Sequence, residues 1–149
     1  MEKPIEIKLA EKMGFCFGVK RAVGGVMTLK GNVDMLGPLI HNPQFVKKLE
    51  ERGIRVVNDM TQISANRVII RAHGLSNKLI EELKQKGLKI IDLTCPLVKS
   101  VQNHAKRMED GGREVFIVGE KGHQEVETIK ENLKNGLIIS TLEEAKSLP

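Results

Sequence analysis

The stretch VIIRAHGLSNKLIEELKQKGLKIIDLTCPLVKSVQNHAKRM, residues 68–108, decides the fold class. It opens on Val68–Ile70, a short apolar run without polar alternation, as expected of a buried strand. Lys78–Lys86 then has helical period and composition, and Gly87 stands where a left-handed C-cap belongs. A second apolar run, Lys89–Leu93, leads into Cys95-Pro96. A cap residue followed by proline at the first helical position opens the helical stretch Leu97–Met108. Strand, helix, strand and helix in direct succession argue for an α/β architecture with mainly parallel sheets and right-handed crossovers.

The same alternation extends both ways. Apolar runs at Ile5–Leu9, Val33–Leu36, Glu114–Val118 and Leu137–Ile139 predict further strands, and Pro43–Arg52 and Glu125–Leu133 predict further helices. Gly53, Gly111 with Gly112, and Gly136 follow helical runs as C-cap candidates. Asn42-Pro43 marks a helix start, and Thr141 with Glu144 has capping-box spacing. The expected organisation is a first α/β unit over residues 1–95 and a second, incomplete one over 96–149. The alternation calls for another strand where the sequence closes at Leu148-Pro149.

Composition narrows the partners. The 149 residues are 40% hydrophobic and 29% charged, normal for a folded soluble chain. The net charge of +5 favours anionic partners, but the basic residues are dispersed, and four Phe with no Tyr or Trp leave few rings for base stacking. Nucleic acid is therefore a poor candidate, and a small phosphorylated metabolite fits the charge equally well. Acids and a proline in Met1–Ile7 are unlike a signal peptide, and no apolar run reaches membrane-spanning length. A cytoplasmic protein is expected, whose Cys16 and Cys95 stay reduced.

Five of the six Cys and His residues fall where a strand or its trailing loop passes into a helix. Cys16 follows the first predicted strand, and His41 follows Val33–Leu36. His73 follows Val68–Ile70, Cys95 follows Lys89–Leu93, and His123 follows Glu114–Val118. In parallel α/β folds these positions share the carboxyl edge of the sheet, where ligands bind. Helix N-termini there favour phosphate oxygens and thiolate sulfur, and Gly14, Gly18, Gly74 and Gly122 let backbone approach a ligand. A lone cysteine is more often a small buried hydrophobe and a lone histidine a solvated polar residue. Five together at one edge argue for a site. His104, inside a polar helical stretch, has no such placement. Glu125, in the first turn of a predicted helix, is either a complement to the dipole or a proton donor beside an anion. Lys20, Arg21 and Arg71 read as solvated or weakly anion-attracting.

The cysteines are too far apart in sequence for a zinc knuckle or a thioredoxin-type pair, so whatever they bind is assembled by tertiary structure. Zinc held by both cysteines and one or two histidines, in a hydrolase or a structural site, is one option. An iron–sulfur cubane is another, although an enzyme binding substrate at an open iron needs three thiolates and this chain has two. A metal-free anion-binding module is the third.

The motifs Gly14-Phe15-Cys16-Phe17-Gly18-Val19-Lys20-Arg21-Ala22, Leu36-Gly37-Pro38-Leu39-Ile40-His41-Asn42, Ile70-Arg71-Ala72-His73-Gly74, Asp92-Leu93-Thr94-Cys95-Pro96 and Val118-Gly119-Glu120-Lys121-Gly122-His123-Gln124-Glu125-Val126 are specific enough to compare with a family. In this order they resemble the two cysteine and three histidine motifs of the 4-hydroxy-3-methylbut-2-enyl diphosphate reductases. The resemblance implies a truncated form of a three-unit α/β iron–sulfur oxidoreductase of non-mevalonate isoprenoid biosynthesis. Such an enzyme removes the substrate hydroxyl to give isopentenyl and dimethylallyl diphosphates. It implies that Cys16 and Cys95 ligate a 4Fe-4S cluster, that His41, His73 and His123 hold the diphosphate, and that Glu125 delivers protons. A ferredoxin or flavodoxin type carrier would supply electrons. The third unit, with the third cysteine ligand, has no counterpart in this chain. Gln124 stands where the family usually has proline.

Overall fold

The computed structural model describes residues 5–40 and 42–148. Helix α1 (Phe17–Met27) precedes strand β1 (Val33–Leu36), α2 (Pro43–Glu50), β2 (Ile54–Val57), a short 3-10 turn (Met60–Gln62), β3 (Arg67–Ile70), α3 (Asn77–Gln85) and β4 (Lys89–Asp92). Then come α4 (Pro96–Asp110), β5 (Phe116–Val118), α5 (Gln124–Glu131), β6 (Leu137–Ile139) and α6 (Leu142–Lys146).

Strands β1–β4 form one parallel sheet in the order β2-β1-β3-β4, and β5 and β6 form a second parallel pair. The chain leaves β1 outward to β2, then returns to the far side of β1 to lay down β3. The direction of winding therefore reverses between β1 and β3. Alternate residues of β1 feed opposite faces: Met35 packs with Ala22 and Val26 of α1 and Leu49 of α2, while Leu36 packs with Leu83 of α3, Val57 and Ile70. Helices thus cover both faces of this sheet, which explains why its strands read as continuous apolar runs. The smaller sheet buries Ile117 against Ala105 of α4 and Leu133.

Local chemistry fixes several boundaries. The Asn42 side chain accepts a hydrogen bond from the Phe45 N–H at 2.9 Å ahead of Pro43, and Thr141 Oγ1 accepts from the Glu144 N–H at 3.2 Å. Gly53, Gly87 and Gly112 adopt the left-handed conformation, with φ of +81°, +71° and +77°. Gly111 is right-handed, and Gly136 is not among the positive-φ glycines. The latter is glycine for room, because a Cβ there would meet Leu133 at 2.5 Å.

The strand expected over Ile5–Leu9 is not formed, and Cys16 therefore follows an extended segment instead of a strand. Ile5, Ile7 and Leu9 are 92%, 82% and 77% exposed. Apolar alternation makes a strand only where a neighbour takes up the backbone N–H and C=O groups, and among the described residues this segment has none. Conversely, β2 had no continuous apolar run because Arg55 interrupts it. Its guanidinium reaches the fully buried Asp34 on β1, with Nε at 2.9 Å and Nη2 at 3.1 Å. Asp34 also accepts from the Ser64 and Ala65 N–H groups at 2.6 and 2.9 Å, which pins the chain entering β3. Among the described residues no helix is long and apolar enough to cross a membrane.

Candidate functional site

Cys16 is the N-cap residue of α1 and Cys95 the N-cap residue of α4, the latter as Cys95-Pro96 indicated. Neither side chain caps its helix, and both thiols are free. The first turn of α1 lies directly on Cys95: a Cβ built on the buried Gly18 would fall 2.4 Å from Cys95 Sγ. Two further bonds fix the approach. Arg21 Nη1 donates to the Thr94 carbonyl at 2.9 Å, and the Cys95 N–H donates to the Ala72 carbonyl at 2.9 Å. Arg21, read from sequence as solvated or weakly anion-attracting, is thus a tie between the two cysteine motifs. Arg21 stands three residues after Gly18, on the face of α1 that meets Cys95.

The loop after β3 carries His73, whose Nε2 stands 4.0 Å from Glu125 Oε1 in the first turn of α5. This contact joins the region of the first sheet to that of the second. The Asn77 N–H donates to Asn132 Oδ1 at 2.7 Å and reinforces it. Gly74, at φ +79°, lies under α4, where an added Cβ would meet Gln102 Nε2 at 3.0 Å and Thr94 Cγ2 at 3.1 Å. His123 is the exposed N-cap residue of α5. With Glu125 and His104 it lines a mostly apolar cleft of about 570 Å³ that also includes Val101, Val126 and Ile129. His104, set aside on sequence grounds, thus stands beside two site candidates. His41 lies outside the described residues.

The turn that delivers His123 is held from several directions. Ser140 Oγ donates to the Gly119 carbonyl at 2.8 Å and accepts from the Lys121 N–H at 3.1 Å. Glu127 accepts from the Gly122 N–H at 2.8 Å, and Lys121 pairs with Glu144. Hydrogen bonds from Lys121 and the Ser140 N–H keep the Glu144 carboxyl below the usual carboxylate range.

Arg71 corrects a sequence reading. It is half-buried instead of solvated, and its Nε is buried without a hydrogen-bond partner among the described residues. Burial pushes its pKa down from the usual guanidinium value. At the other rim of the edge, Asp92 accepts from Lys99 Nζ and from the Thr94 N–H, both at 2.9 Å. Burial pushes its pKa up, but these bonds together leave the carboxyl below its usual range.

Two thiols at adjoining helix N-termini are soft ligands suited to iron–sulfur or zinc. Among the described residues no group of three Cys, His, Asp or Glu side chains is placed to hold a metal ion. The two thiols would fit a group that takes its remaining ligands elsewhere, and the described residues alone make no self-contained zinc site.

These features define a parallel α/β protein that presents thiols, imidazole and carboxylate at helix N-termini and the loops leading into them. The chain belongs to the LytB protein family, whose sequence profile matches residues 7–149. It is 45% identical over 154 residues to a 4-hydroxy-3-methylbut-2-enyl diphosphate reductase of Caldanaerobacter subterraneus, covering 97% of this chain and 54% of that protein. It is 39% identical to the Geobacter metallireducens enzyme of the same name, covering 97% and 53%. A solved (E)-4-hydroxy-3-methyl-but-2-enyl diphosphate reductase, described as the terminal enzyme of the non-mevalonate pathway, matches with a TM-score of 0.80 at 41% identity. That match covers 93% of this chain and 52% of the other. The Plasmodium falciparum E-1-hydroxy-2-methyl-but-2-enyl-4-diphosphate reductase matches with a TM-score of 0.87 at 28% identity, covering 93% and 46%. The chain thus spans about half the length of the relatives it matches.

Proposed function

We propose that this chain is the N-terminal portion of a cytoplasmic iron–sulfur reductase acting on 4-hydroxy-3-methylbut-2-enyl diphosphate. Residues 1–95 and 96–149 would be its first unit and most of its second, a division supported by the two separate sheets. The relatives' remaining half would supply the third unit. The reaction takes up two electrons and two protons, releases the hydroxyl as water, and leaves isopentenyl or dimethylallyl diphosphate. Electrons would come from a ferredoxin or flavodoxin type carrier.

The observation carrying this reading is the seating of Cys95 Sγ against Gly18 beside the Cys16 cap. Cys16 and Cys95 would hold a 4Fe-4S cluster together with a third cysteine outside this chain. Bound there, the cluster would supply electrons and an open iron to polarise the substrate hydroxyl. His73 and His123, with His41, would hold the diphosphate through N–H donors near helix N-termini. Glu125, 4.0 Å from His73, would serve as the proton donor to the substrate.

The test is iron and acid-labile sulfide per chain after anaerobic reconstitution, with and without the C-terminal half of the Caldanaerobacter relative. Cluster assembly and substrate-dependent oxidation of a reduced carrier only in the joined protein are the expected result. Bound zinc with no iron chromophore would overturn it.

A further inference from the structure

The reversal of winding in the first sheet falls between β1 and β3, and open α/β sheets bind their ligands in the crevice at such a reversal. One side chain occupies that position. Arg71 leaves the carboxyl end of β3, and its guanidinium packs onto Gly37, the residue that leaves the carboxyl end of β1. A Cβ at Gly37 would lie 2.4 Å from Arg71 Nη1 and 2.8 Å from Cζ. Gly37 also has φ of +74°, so both space and backbone conformation there exclude a larger residue.

A half-buried guanidinium whose Nε is shut off from water needs an acceptor there, because an unpaired buried donor is destabilising. Among the described residues Arg71 has none, and its Nε is buried and unpartnered. The carboxylates around the edge are already engaged. Asp92 holds Lys99 and the Thr94 N–H, and Glu125 faces His73. The charge left over at the sheet's binding crevice is positive, and its rigid fork of donors matches a phosphate oxyanion.

We propose that Arg71 is a further anion-binding residue of this site, seated on Gly37 to present its guanidinium to a phosphate-class oxyanion between the ends of β1 and β3. The assignment rests on the diphosphate reading above and adds to it a fixed charge on the loop that carries His73. It needs no iron, so failed cluster assembly and failure of this assignment are separate results.

The experiment titrates the chain with inorganic pyrophosphate by calorimetry and follows arginine Nε–H resonances by NMR, the Arg71 signal being identified by its loss in Arg71→Lys. Removing one charge-assisted contact is expected to weaken binding about tenfold or more in Arg71→Met, with Arg71→Lys between the two. The wild-type Arg71 Nε–H signal should shift on saturation, a readout that holds even if Arg71→Met folds poorly. Affinity within about twofold of wild type in Arg71→Met, an unmoved Nε–H signal at saturation, or no pyrophosphate binding at millimolar concentration would each overturn the assignment.

Discussion

Gly18 and Cys95, far apart in sequence, are in contact through an absent side chain: a Cβ on Gly18 would lie 2.4 Å from Cys95 Sγ and 3.0 Å from its Cβ. In an ordinary helix interior Gly→Ala stabilises by about 0.5–1 kcal/mol. Here the sign should invert. Gly18→Ala forces the thiol or α1 to move, with an overpacking cost of about 1–3 kcal/mol. Urea denaturation should show the loss, and Cys95 should react faster with a thiol reagent. A stabilised variant with unchanged thiol reactivity would show that the two motifs are not in contact.

Arg21 gives the same junction a second tie through the Thr94 carbonyl, one residue before Cys95. Arg21→Met leaves that carbonyl without its donor and frees the Cys95 cap to shift. Reconstituted protein joined to the relatives' C-terminal half should then lose iron several times faster under a chelator, while Arg21→Lys retains it longer. Equal loss rates in all three proteins would remove any positioning role for the side chain.

The Asp34 network makes stability depend on pH. Burial pushes the Asp34 carboxyl up, but the Arg55 bond and the Ala65 and Ser64 N–H groups outweigh it, and its pKa lies below the usual value. A carboxyl depressed in the folded state contributes stability that is fully present above its unfolded pKa of about 3.9. That contribution is lost as pH falls through the folded value. Asp34→Asn should therefore be destabilised by about 1–3 kcal/mol at neutral pH, since an amide cannot accept from all these donors. Its stability should also fall less than that of wild type below about pH 4. Parallel acid limbs in urea titrations of the two proteins would contradict this.

Much of this arrangement was legible because parallel α/β chains announce themselves locally. Short apolar runs, proline after a cap and glycine at a C-cap placed β1, β3, β4, β6 and most helix starts, and the helix-entry rule located both cysteines and His123. Pairing was not legible. Ile5–Leu9 has strand periodicity but no neighbour among the described residues, whereas β2 carries Arg55, whose charge is accounted for only by a buried Asp34 on another strand. The same limit hid Arg71, because burial and Gly37 as its seat are tertiary facts. It also hid Arg21, whose acceptor lies on the far side of the first sheet's sequence.

The exposure of Ile7 and Leu9, at 82% and 77%, makes their replacement a direct check on the first of these differences. Substitutions at exposed positions generally change stability by less than about 0.5 kcal/mol. Ile7→Asp and Leu9→Asp should leave this chain's thermal midpoint essentially unmoved. A clear fall in either variant would mean that the segment packs on the protein after all.

Glu125 separates proton delivery from binding. Gln in its place keeps the shape and a polar group facing His73 but carries no transferable acidic proton. In the protein joined to the relatives' C-terminal half, Glu125→Gln should keep wild-type iron and sulfide content, because neither Cys16 nor Cys95 is touched. Pyrophosphate affinity should also stay close to wild type, since the carboxylate is not a donor to the anion. Turnover should fall about 10²–10⁴-fold, the usual worth of a positioned general acid. The combination matters more than the loss itself. If turnover, cluster content and affinity fell together, Glu125 would be a strut between His73 and α5. If turnover survived, the protons would have to reach the substrate by another route.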